Sequence, residues 1–404
     1  MQIPSSHRVV GLVGSMVPYH HARWQAFTVT SQTSCTLLTL TDKDEFSVLE
    51  FSSKGAAYAL QVLFPGRPAR SLKPGDILSA VAAKLDALNP SCVCLNGYAS
   101  PLALGALLWC LRRGVPAVML SESTPWDEAR VGWKEWLKSR AVRSCSSALV
   151  GGPSHAEYLT SLGLAANQIS LGYDAVDNDH FIKGAVAARK DPAAIKRALD
   201  LPDQYFFACA RFTPKKNLSR LLQGYKSYRQ TAGASAWDLV LAGSGPGGDE
   251  LVALAHSLGI SKFVHFVGPK PYDELPAYYA LAGGFIHAST TEQWGLVVNE
   301  AMACGLPVLV SSRCGCADNL VQDGINGYTF DPFSPNSIAE SMRTLVAHEK
   351  DLAAWGKASQ SIVADWSPSR FAAGLVQAVS RATRMSRPRA GLITRLLIKG
   401  MAHR

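Results

Sequence analysis

Short apolar runs alternate with longer segments of helical periodicity along most of this chain. In the first half, the runs predict β-strands, because unbroken apolar stretches of this length are typical of buried parallel strands. The segments between them repeat apolar positions every three or four residues, which predicts helices. The predicted strands are Val9–Val13, Thr36–Leu40, Leu60–Phe64, Cys92–Leu95, Ala117–Leu120 and Ala148–Val150, and the predicted helices are Gly75–Leu88, Leu102–Arg113, Glu128–Ser139 and Ser154–Leu162.

The alternation begins again near Tyr205, so the chain is expected to form two doubly wound α/β domains. A length of 404 residues suits two domains of roughly 200 residues each. Two such domains facing each other would form a cleft, with ligands at the carboxyl ends of the strands. We divide the chain into residues 1–180, residues 181–366 and a C-terminal segment 367–404, with a linker near Tyr173–Arg189 and a last helix at Trp366–Ser380 that crosses back to the first domain.

The segment from His287 to Ser311 is the most informative part of the second domain. It reads HASTTEQWGLVVNEAMACGLPVLVS and places Glu292 and Glu300 on either side of Gly295, with a helix predicted to begin between them. Carboxylates near a helix amino terminus can accept hydrogen bonds from a polyol, while the free N–H groups there favour an anion. The segment therefore predicts a site that binds a sugar and a phosphate together.

Two basic residues precede this segment. In FFACARFTPKKNLSRLL, Arg211 is predicted to end a strand and Lys216 to open a helix. Arg binds phosphate through two parallel hydrogen bonds, Lys adds a point charge, and a helix dipole contributes about half a charge. Together they can neutralise a diphosphate without a bound cation. Taken alone, both residues are more typical of solvated charges at a strand end and a helix start, but beside the acidic motif phosphate binding is the favoured interpretation.

These motifs, in this order, resemble those of the retaining glycosyltransferases of family 4, which have the GT-B fold and an E-x7-E signature. Asp238–Pro246, Phe263–Ala282 and Asp318–Pro332 resemble further segments of the family. The resemblance implies transfer of a sugar from a nucleoside-diphosphate sugar to a hydroxyl of a glycan or glycolipid acceptor, as in polysaccharide assembly. It also implies that no metal or other cofactor is required.

The resemblance assigns roles to individual residues of the second domain. Glu292 would hold hydroxyls of the donor sugar, and Glu300 would hold the ribose hydroxyls. The backbone N–H groups of Gly295, Leu296 and Val297 would face the sugar and the phosphates. The Leu296 and Val297 side chains are expected to lie in the core with Val298, Ala301 and Met302.

The first half departs from the family pattern. Family members usually have a His after the fifth strand of the first domain, and here Glu122 occupies that place. Glu122 would either act at the donor sugar, by a hydrogen bond or by stabilising positive charge at the anomeric carbon, or simply cap the strand end. Only Gly14 is left of a glycine pair in the first loop, and we assign it to donor binding. His20 and His21 follow in the same predicted loop and either line the acceptor pocket or lie at the surface.

Two other patterns are typical of metal sites. A D-x-D triplet, Asp177 to Asp179, can hold a metal and a sugar diphosphate in the other large glycosyltransferase fold, but its surroundings resemble a structural turn of family 4. The nine cysteines include the pairs Cys92/Cys94 and Cys314/Cys316. Neither pair is followed by further ligands at the spacings that metal sites use. We therefore expect no metal site and reduced thiols, as in a cytosolic protein.

Positive charge is concentrated at the C-terminus. The formal net charge is +9, and the segment Arg381–Arg404 contains seven basic residues and no acid. On a helical projection Leu392, Ile393, Leu396, Leu397 and Met401 share one face, with Arg395 and Lys399 opposite. A basic amphipathic tail is typical of proteins that bind anionic membranes. No nucleic-acid motif accompanies it, and a solvated terminus is the alternative.

The localisation expected from the sequence is cytoplasmic and peripheral on the inner face of the cell membrane. The apolar run Val9–Val17 is short and lies next to Pro18 and a His pair, so we interpret it as a first β-strand and not as a signal core. No apolar stretch approaches the roughly 20 residues that span a bilayer. A second candidate membrane patch is Pro125–Arg143, which contains Trp126, Trp133 and Trp136 among basic residues.

Two other functions stay open at the level of sequence. One is a different GT-B reaction on a nucleotide sugar, such as epimerisation. The other is a non-catalytic sugar-nucleotide-binding protein on the membrane, which the altered first-domain site would favour. Glu292, Glu300, Arg211 and Lys216 together favour an enzyme.

Overall fold

The computed structural model describes residues 3–4, 6–42, 54–385 and 390–403. Two compact units are present. The first comprises Met1–Ala175 and Pro368–Arg404, and the second comprises Val176–Ser367. The chain therefore passes between units at 175/176 and at 367/368, where the sequence suggests 180/181 and 366/367.

The first unit is built on a seven-stranded parallel sheet with strand order β3-β2-β1-β4-β5-β6-β7. Its strands are β1 (Arg8–Val13), β2 (Ser34–Thr39), β3 (Ala59–Val62), β4 (Cys92–Asn96), β5 (Ala117–Ser121), β6 (Ser147–Val150) and β7 (Ile169–Leu171). Its helices are α1 (Pro18–Ser31), α2 (Pro74–Leu88), α3 (Pro101–Arg113), α4 (Gly132–Val142), α5 (Pro153–Ser161), α15 (Pro368–Arg384) and α16 (Leu392–Ala402).

The second unit has a six-stranded parallel sheet with strand order β10-β9-β8-β11-β12-β13. Its strands are β8 (Tyr205–Cys209), β9 (Asp238–Ala242), β10 (Val264–Gly268), β11 (Gly284–His287), β12 (Val308–Ser311) and β13 (Gly327–Phe330). Its helices are α6 (Asn178–Ala188), α7 (Pro192–Ala198), α8 (Leu218–Ala232), α9 (Gly248–Ser257), α10 (Leu275–Ala280), α11 (Leu296–Ala303), α12 (Ala317–Leu320), α13 (Pro335–Ala347) and α14 (Leu352–Ala364). The predicted pair of doubly wound α/β domains is confirmed.

The central strands are apolar because helices cover both faces of each sheet. All five residues of β5 are buried, as are all four of β6. In the first unit, one core lies between the sheet and α2, α3 and α5, and a second core on the opposite face contains α1 and α15. Local signals set the helix ends: the Ser100 hydroxyl accepts a hydrogen bond from the Ala103 N–H at 3.1 Å, and Gly114, with φ 68°, ends α3.

The structure corrects several predicted boundaries. His20 and His21 lie in α1 and not in a loop. The linker predicted at Tyr173–Arg189 is shorter, since α6 already begins at Asn178. Asp177 is the N-cap of α6, and its carboxylate accepts a hydrogen bond from the His180 N–H at 3.1 Å. This carboxylate of the D-x-D triplet therefore serves a structural turn.

The basic C-terminal segment is folded against the first unit over residues 390–403. Helix α16 packs on α3 and α4, with Ile398 and Ala402 buried. Arg395, predicted to face away from the apolar side, instead turns toward the protein and donates to the Leu111 carbonyl at 3.1 Å. Met401 packs against the core, so it does not belong to an exposed apolar face. Arg387, Arg389 and Arg404 lie outside the described residues.

All nine cysteines are free thiols, and all but Cys209 are buried. Among the described residues no helix is both long enough and apolar enough to cross a membrane. Trp133 and Trp136 of the second candidate membrane patch are 52% and 46% exposed.

Removal of the Phe371 side chain should destabilise the first unit. Phe371 of α15 is fully buried, with its ring centroid 5.9 Å from that of Trp24. Phe371→Ala should cost about 3–5 kcal/mol, because it leaves a cavity between α15 and α1. Chemical denaturation followed by fluorescence measures the effect. The matched control is Phe333→Ala in the second unit, where the side chain is 54% exposed and the loss should be below about 1 kcal/mol.

Candidate functional site

The order of the strands in the second sheet reverses between β8 and β11. Strand β9, which follows β8 in the chain, lies on one side of β8, and β11 lies on the other side. Ligands of open α/β sheets bind outside the carboxyl ends of the strands at such a switch point. The loop after β8 contains Arg211 and Lys216, and the loop after β11 contains Glu292. Three of the residues singled out from the sequence therefore flank this point.

Glu292 is the centre of a compact polar cluster. The Lys216 ammonium group forms an ion pair with Glu292 Oε2, and both side chains are nearly buried. The Ser289 hydroxyl donates to the same oxygen at 3.3 Å, and His287 Nε2 lies 3.4 Å from it. Three polar side chains from two loops thus converge on one carboxylate oxygen.

The environment keeps Glu292 ionised. Burial alone would raise its pKa, but the hydrogen bond from His287 and the charge of Lys216 outweigh burial and lower the pKa below its usual range. The pKa of His287 is also lowered, first by burial and then by the Lys216 charge, so the imidazole is neutral near pH 7. The cluster presents a fixed carboxylate beside a fixed cation, a pair that can bind sugar hydroxyls and phosphate side by side.

Asn217 holds the loops of this cluster together. It has a left-handed backbone conformation, with φ 58°, between a 3₁₀ turn at Pro214–Lys216 and α8. Its buried amide donates to the Ala288 carbonyl at 3.0 Å and to the Pro332 carbonyl at 2.7 Å. Lys216 therefore lies in the turn before α8, not in the helix as predicted, because Asn217 separates the two.

Arg211 lies on the same loop with its side chain exposed. Strand β8 ends at Cys209, so Arg211 follows the strand instead of ending it as predicted. The Gly-rich turn after β9 packs on this loop. A side chain at Gly243, which has φ 129°, would place its Cβ 1.9 Å from the Ala210 carbonyl oxygen. The glycine permits the close packing that positions the Arg211 loop.

Gly295 starts α11 with φ 106°, a conformation that strongly favours glycine. An added Cβ there would lie 3.6 Å from Glu292 Cγ and 3.7 Å from His287 Cδ2, so the helix begins beside the cluster. The first N–H groups of a helix have no partner within it, which makes those of Leu296 and Val297 available to a ligand. Both side chains are half-buried, although they were expected in the core; Val298, Ala301 and Met302 are buried as predicted.

Glu300 lies farther along α11 and has a different environment. It is only 8% exposed, and the buried Tyr279 hydroxyl donates to its Oε2 at 2.8 Å. Burial raises its pKa to about 7, and the Tyr279 hydrogen bond only partly opposes this. The two carboxylates of the E-x7-E motif therefore differ: Glu292 is ionised at all physiological pH values, and Glu300 changes charge near neutrality.

In the first unit, Glu122 follows β5 directly and lies close enough to the buried Asp174 to affect its charge. Burial and the charge of Glu122 raise the pKa of Asp174 well above its usual range, against the charge of Arg23. Arg23 is itself fully buried, 3.6 Å from Asp174, and donates to the Ala175 carbonyl at 2.8 Å. Glu122 therefore lies, partly buried, beside the fully buried pair of Asp174 and Arg23.

The other first-unit candidates lie near the carboxyl end of β1. Burial, assisted by the charge of Arg23, lowers the pKa of His20 to about 3, so this imidazole is neutral. His21 Nδ1 lies 2.8 Å from the Tyr58 hydroxyl, a contact that orients the ring. The Gly14 carbonyl accepts from the Thr39 hydroxyl at 3.0 Å, and no described atom lies within 4 Å of a Cβ added at Gly14.

Several residues of these clusters were not singled out in the sequence: His287, Ser289, Tyr279, Asn217, Arg23 and Asp174. His287 and Ser289 had a usable signal, since polar residues at the carboxyl end of a buried strand commonly face a site. Asn after a polar turn also signals a left-handed residue. Tyr279 and Arg23 gave no such signal, because a Tyr or Arg within a helix does not by itself indicate a functional site.

Residues 189–362 match the family described as Glycosyl transferases group 1. Over 328 residues, the chain is 30% identical to the GDP-mannose-dependent alpha-(1-6)-phosphatidylinositol monomannoside mannosyltransferase of Mycobacterium tuberculosis, covering 76% of this chain and 80% of the relative. The chain belongs to the glycosyl transferases group 1 family. It is a glycosyltransferase that transfers sugar from a nucleotide sugar to an acceptor.

Three further similarities support the family or the fold: one relative and two solved structures. The D-inositol 3-phosphate glycosyltransferase of Salinispora tropica is 34% identical over 160 residues, which are 37% of this chain and 33% of that protein. The crystal structure of Anabaena HepE in complex with UDP superimposes with a TM-score of 0.74 at 16% identity, covering 92% of this chain and 99% of HepE. The sucrose-phosphate synthase of Thermosynechococcus elongatus gives 0.72 at 18% identity, covering 91% and 97%. The fold of this group 1 glycosyltransferase is GT-B.

The resemblance to family 4 assigns Glu300 to the ribose hydroxyls, and on that assignment nucleotide-sugar affinity should depend on pH. A carboxylate accepts hydrogen bonds from both ribose hydroxyls, whereas the protonated acid does not. Because the pKa is about 7, affinity should rise with pH and be roughly tenfold weaker at pH 6 than at pH 8. The free protein should show the opposite trend: stability falls as pH rises from 4.5 to about 7, since the folded state holds this proton more tightly.

Calorimetry with an intact nucleotide sugar tests this dependence, because its phosphates do not titrate in this range. Glu300→Gln should weaken binding at pH 8 and remove most of the pH dependence. A variant that binds as tightly as the wild type, or that keeps the full pH dependence, would show that Glu300 does not contact the ligand.

Proposed function

We propose that this group 1 glycosyltransferase is a retaining enzyme of family 4. It would transfer a hexose from a nucleoside-diphosphate sugar to a hydroxyl of a glycan or glycolipid acceptor. The observation that supports this best is the Lys216–Glu292 ion pair at the switch point of the second sheet, beside the amino end of α11. A cation and free helix N–H groups can bind the phosphates of a sugar diphosphate, and a carboxylate at the same place can bind its sugar hydroxyls.

In this proposal each group of the second unit has one task. Arg211 and Lys216 bind the diphosphate, together with the N–H groups of Gly295, Leu296 and Val297. Glu292 holds hydroxyls of the donor sugar, and Glu300 holds the ribose. Lys216 and Glu292 are already in contact, so the cation that meets the diphosphate and the carboxylate that meets the sugar are oriented before the donor binds. Such preorganised charge favours departure of the diphosphate.

The retaining course is the one that the resemblance to family 4 implies. The bond between the anomeric carbon and the diphosphate breaks with oxocarbenium character, and the acceptor hydroxyl attacks on the face that the diphosphate leaves. The acceptor proton passes to a leaving-group oxygen, so no protein base is needed there. Glu122 would stabilise the positive charge, and Gly14 would leave room for the donor. His20 and His21 would line the acceptor pocket.

The relatives suggest which donors to test first. One relative is named as GDP-mannose-dependent, and similar solved structures contain UDP or UDP-glucose. Relatives named for phosphatidylinositol or inositol phosphate acceptors support a glycolipid acceptor for this chain. A lipid-linked acceptor would place the enzyme at the cytoplasmic face of a membrane, and the basic segment 381–404 supports an anionic one.

Variants of the phosphate-binding residues provide the central test. Arg211→Ala and Lys216→Ala should each weaken nucleotide binding, because each charge-assisted hydrogen bond contributes about 1.5–3 kcal/mol. That is roughly a 10- to 100-fold change in Kd. Lys215→Ala is the matched control. The Lys215 side chain is exposed one position before Lys216, so the nucleotide affinity of this variant should be nearly unchanged. GDP-mannose and UDP-glucose would both be titrated.

Turnover distinguishes the proposed enzyme from its alternatives. Glu292→Gln should reduce donor hydrolysis or transfer much more than it reduces binding of the bare nucleoside diphosphate. A purified wild-type protein that binds nucleotide sugar but never cleaves it would indicate a non-catalytic binder. Release of an isomerised nucleotide sugar would indicate an epimerase. Product with inverted anomeric configuration would contradict retention.

Transfer should proceed without a divalent cation, because Arg211, Lys216 and the amino end of α11 supply the positive charge. Activity measured after exhaustive treatment with chelator should equal that of the untreated protein. Activity that disappears in chelator and returns with magnesium or manganese would contradict the proposal, and it would direct attention back to Asp177 and Asp179.

A further inference from the structure

Helix α16 leaves an apolar surface exposed although it is packed on the first unit. Its inner side buries Ile398 and Ala402 against α3 and α4. On its outer side, Leu392 and Ile393 are each 74% exposed and Leu396 is 59% exposed. Three large aliphatic side chains on one helix, open to solvent, are more than folding of this unit requires.

Helix α4, which contacts α16, also exposes large aromatic side chains. Glu135 accepts hydrogen bonds from Arg130 at 3.1 Å and from Tyr158 at 2.9 Å, which fixes one side of α4 to the protein. Trp133 and Trp136 remain half-exposed, and the Arg140 guanidinium lies 4.8 Å above the Trp136 ring. Indole rings beside cations are typical of the lipid–water interface.

A cationic cavity lies beside α16. It has a volume of about 440 Å³ and is formed by α2, α3 and α16. Arg112, Lys399 and His403 line it, together with small and apolar residues of α2 and α3, and none of the described residues that line it is acidic. The cavity therefore combines positive charge with apolar walls, as a phospholipid headgroup and its glycerol require.

We propose that the outer face of α16, the exposed Trp side chains of α4 and this cavity form one docking surface for an anionic phospholipid bilayer. Leu392, Ile393 and Leu396 enter the interface, and a lipid phosphate occupies the cavity between Arg112 and Lys399. The inference rests on the proposed membrane-linked acceptor and specifies how the membrane is bound: by a folded surface of the first unit.

Charge argues against a second copy of the chain as the occupant. A symmetric dimer would place this patch against itself, so the cations of the two copies would face each other in a chain whose net charge is +9. An anionic bilayer instead supplies the opposite charge and an apolar interior for the aliphatic side chains.

Vesicle co-sedimentation of the full chain tests the surface, using phosphatidylcholine alone and phosphatidylcholine with added phosphatidylglycerol. Wild-type protein should bind only the anionic vesicles. Each cation near an anionic surface strengthens binding roughly fivefold, so the double variant Arg112→Gln/Lys399→Gln should bind roughly 30-fold more weakly. The matched control is Arg197→Gln/Lys357→Gln, which removes two exposed cations of the second unit and should bind like the wild type.

A second pair of variants tests the apolar contribution. Leu392→Ser/Leu396→Ser should bind anionic vesicles about tenfold more weakly or worse. Val186→Ser/Val252→Ser, at two exposed sites of the second unit, should have no effect. Leu→Ser at exposed sites should leave the thermal unfolding midpoint nearly unchanged, which shows that any loss of binding is not loss of folding.

The proposal is overturned if wild-type protein binds neutral and anionic vesicles equally, or if both cation variants reduce binding to the same extent. It is also overturned if light scattering shows a dimer that Leu392→Ser/Leu396→Ser dissociates while vesicle binding persists. Donor hydrolysis in solution should be the same for all four variants. If hydrolysis is absent in the wild type while vesicle binding behaves as expected, the proposed function fails and the docking surface stands.

Discussion

The carboxylate of Glu292 has to remain charged while almost buried, and the candidate site is arranged around that requirement. Removing a carboxylate from water without providing partners costs several kcal/mol of desolvation free energy. Here a cation, a hydroxyl and an imidazole N–H offset the loss, and they come from different loops: Lys216 from the loop after β8, Ser289 and His287 from the end of β11. The backbone of Glu292 is also fixed, since its carbonyl accepts from the Gly315 N–H of the loop after β12 at 3.0 Å. Three loops therefore meet at Glu292, at the switch point of the sheet.

Three acidic residues of the chain show how partners determine charge inside a protein. Glu292, with a cation and two donors, has a lowered pKa. Glu300 has one phenol donor, so burial prevails and the pKa rises to about 7. Asp174 lies beside a second acid, Glu122, and burial together with that charge raises its pKa well above its usual range despite Arg23. The two acids of the E-x7-E motif look equivalent in the sequence, but only one of them is a permanent charge.

Sequence patterns anticipated the two α/β units and placed most helices and strands within a few residues. The predictions failed where polar or charged side chains lie on the buried side of a helix. Helix α1 was missed because its buried side contains Arg23 and Thr28 beside Trp24 and Phe27, so the apolar periodicity is broken. The orientation of α16 was wrong for a related reason: Arg395 lies on the protein side because the end of α3 offers it the Leu111 carbonyl. A helical projection assigns every cation to solvent, and only a neighbouring acceptor reverses that.

The sequence by itself determined the alternation of strands and helices and the presence of Glu292, Gly295 and Glu300 around a helix start, because both depend on residues close together in the chain. It also indicated the concentration of positive charge near the C-terminus. Only the tertiary structure decided that Lys216 pairs with Glu292, and that burial beside Tyr279 brings the pKa of Glu300 to about 7. It also decided that α16 exposes Leu392 and Leu396 while burying Ile398. These contacts join residues separated by roughly 20 to 300 positions, and their energies depend on burial, which no local pattern specifies.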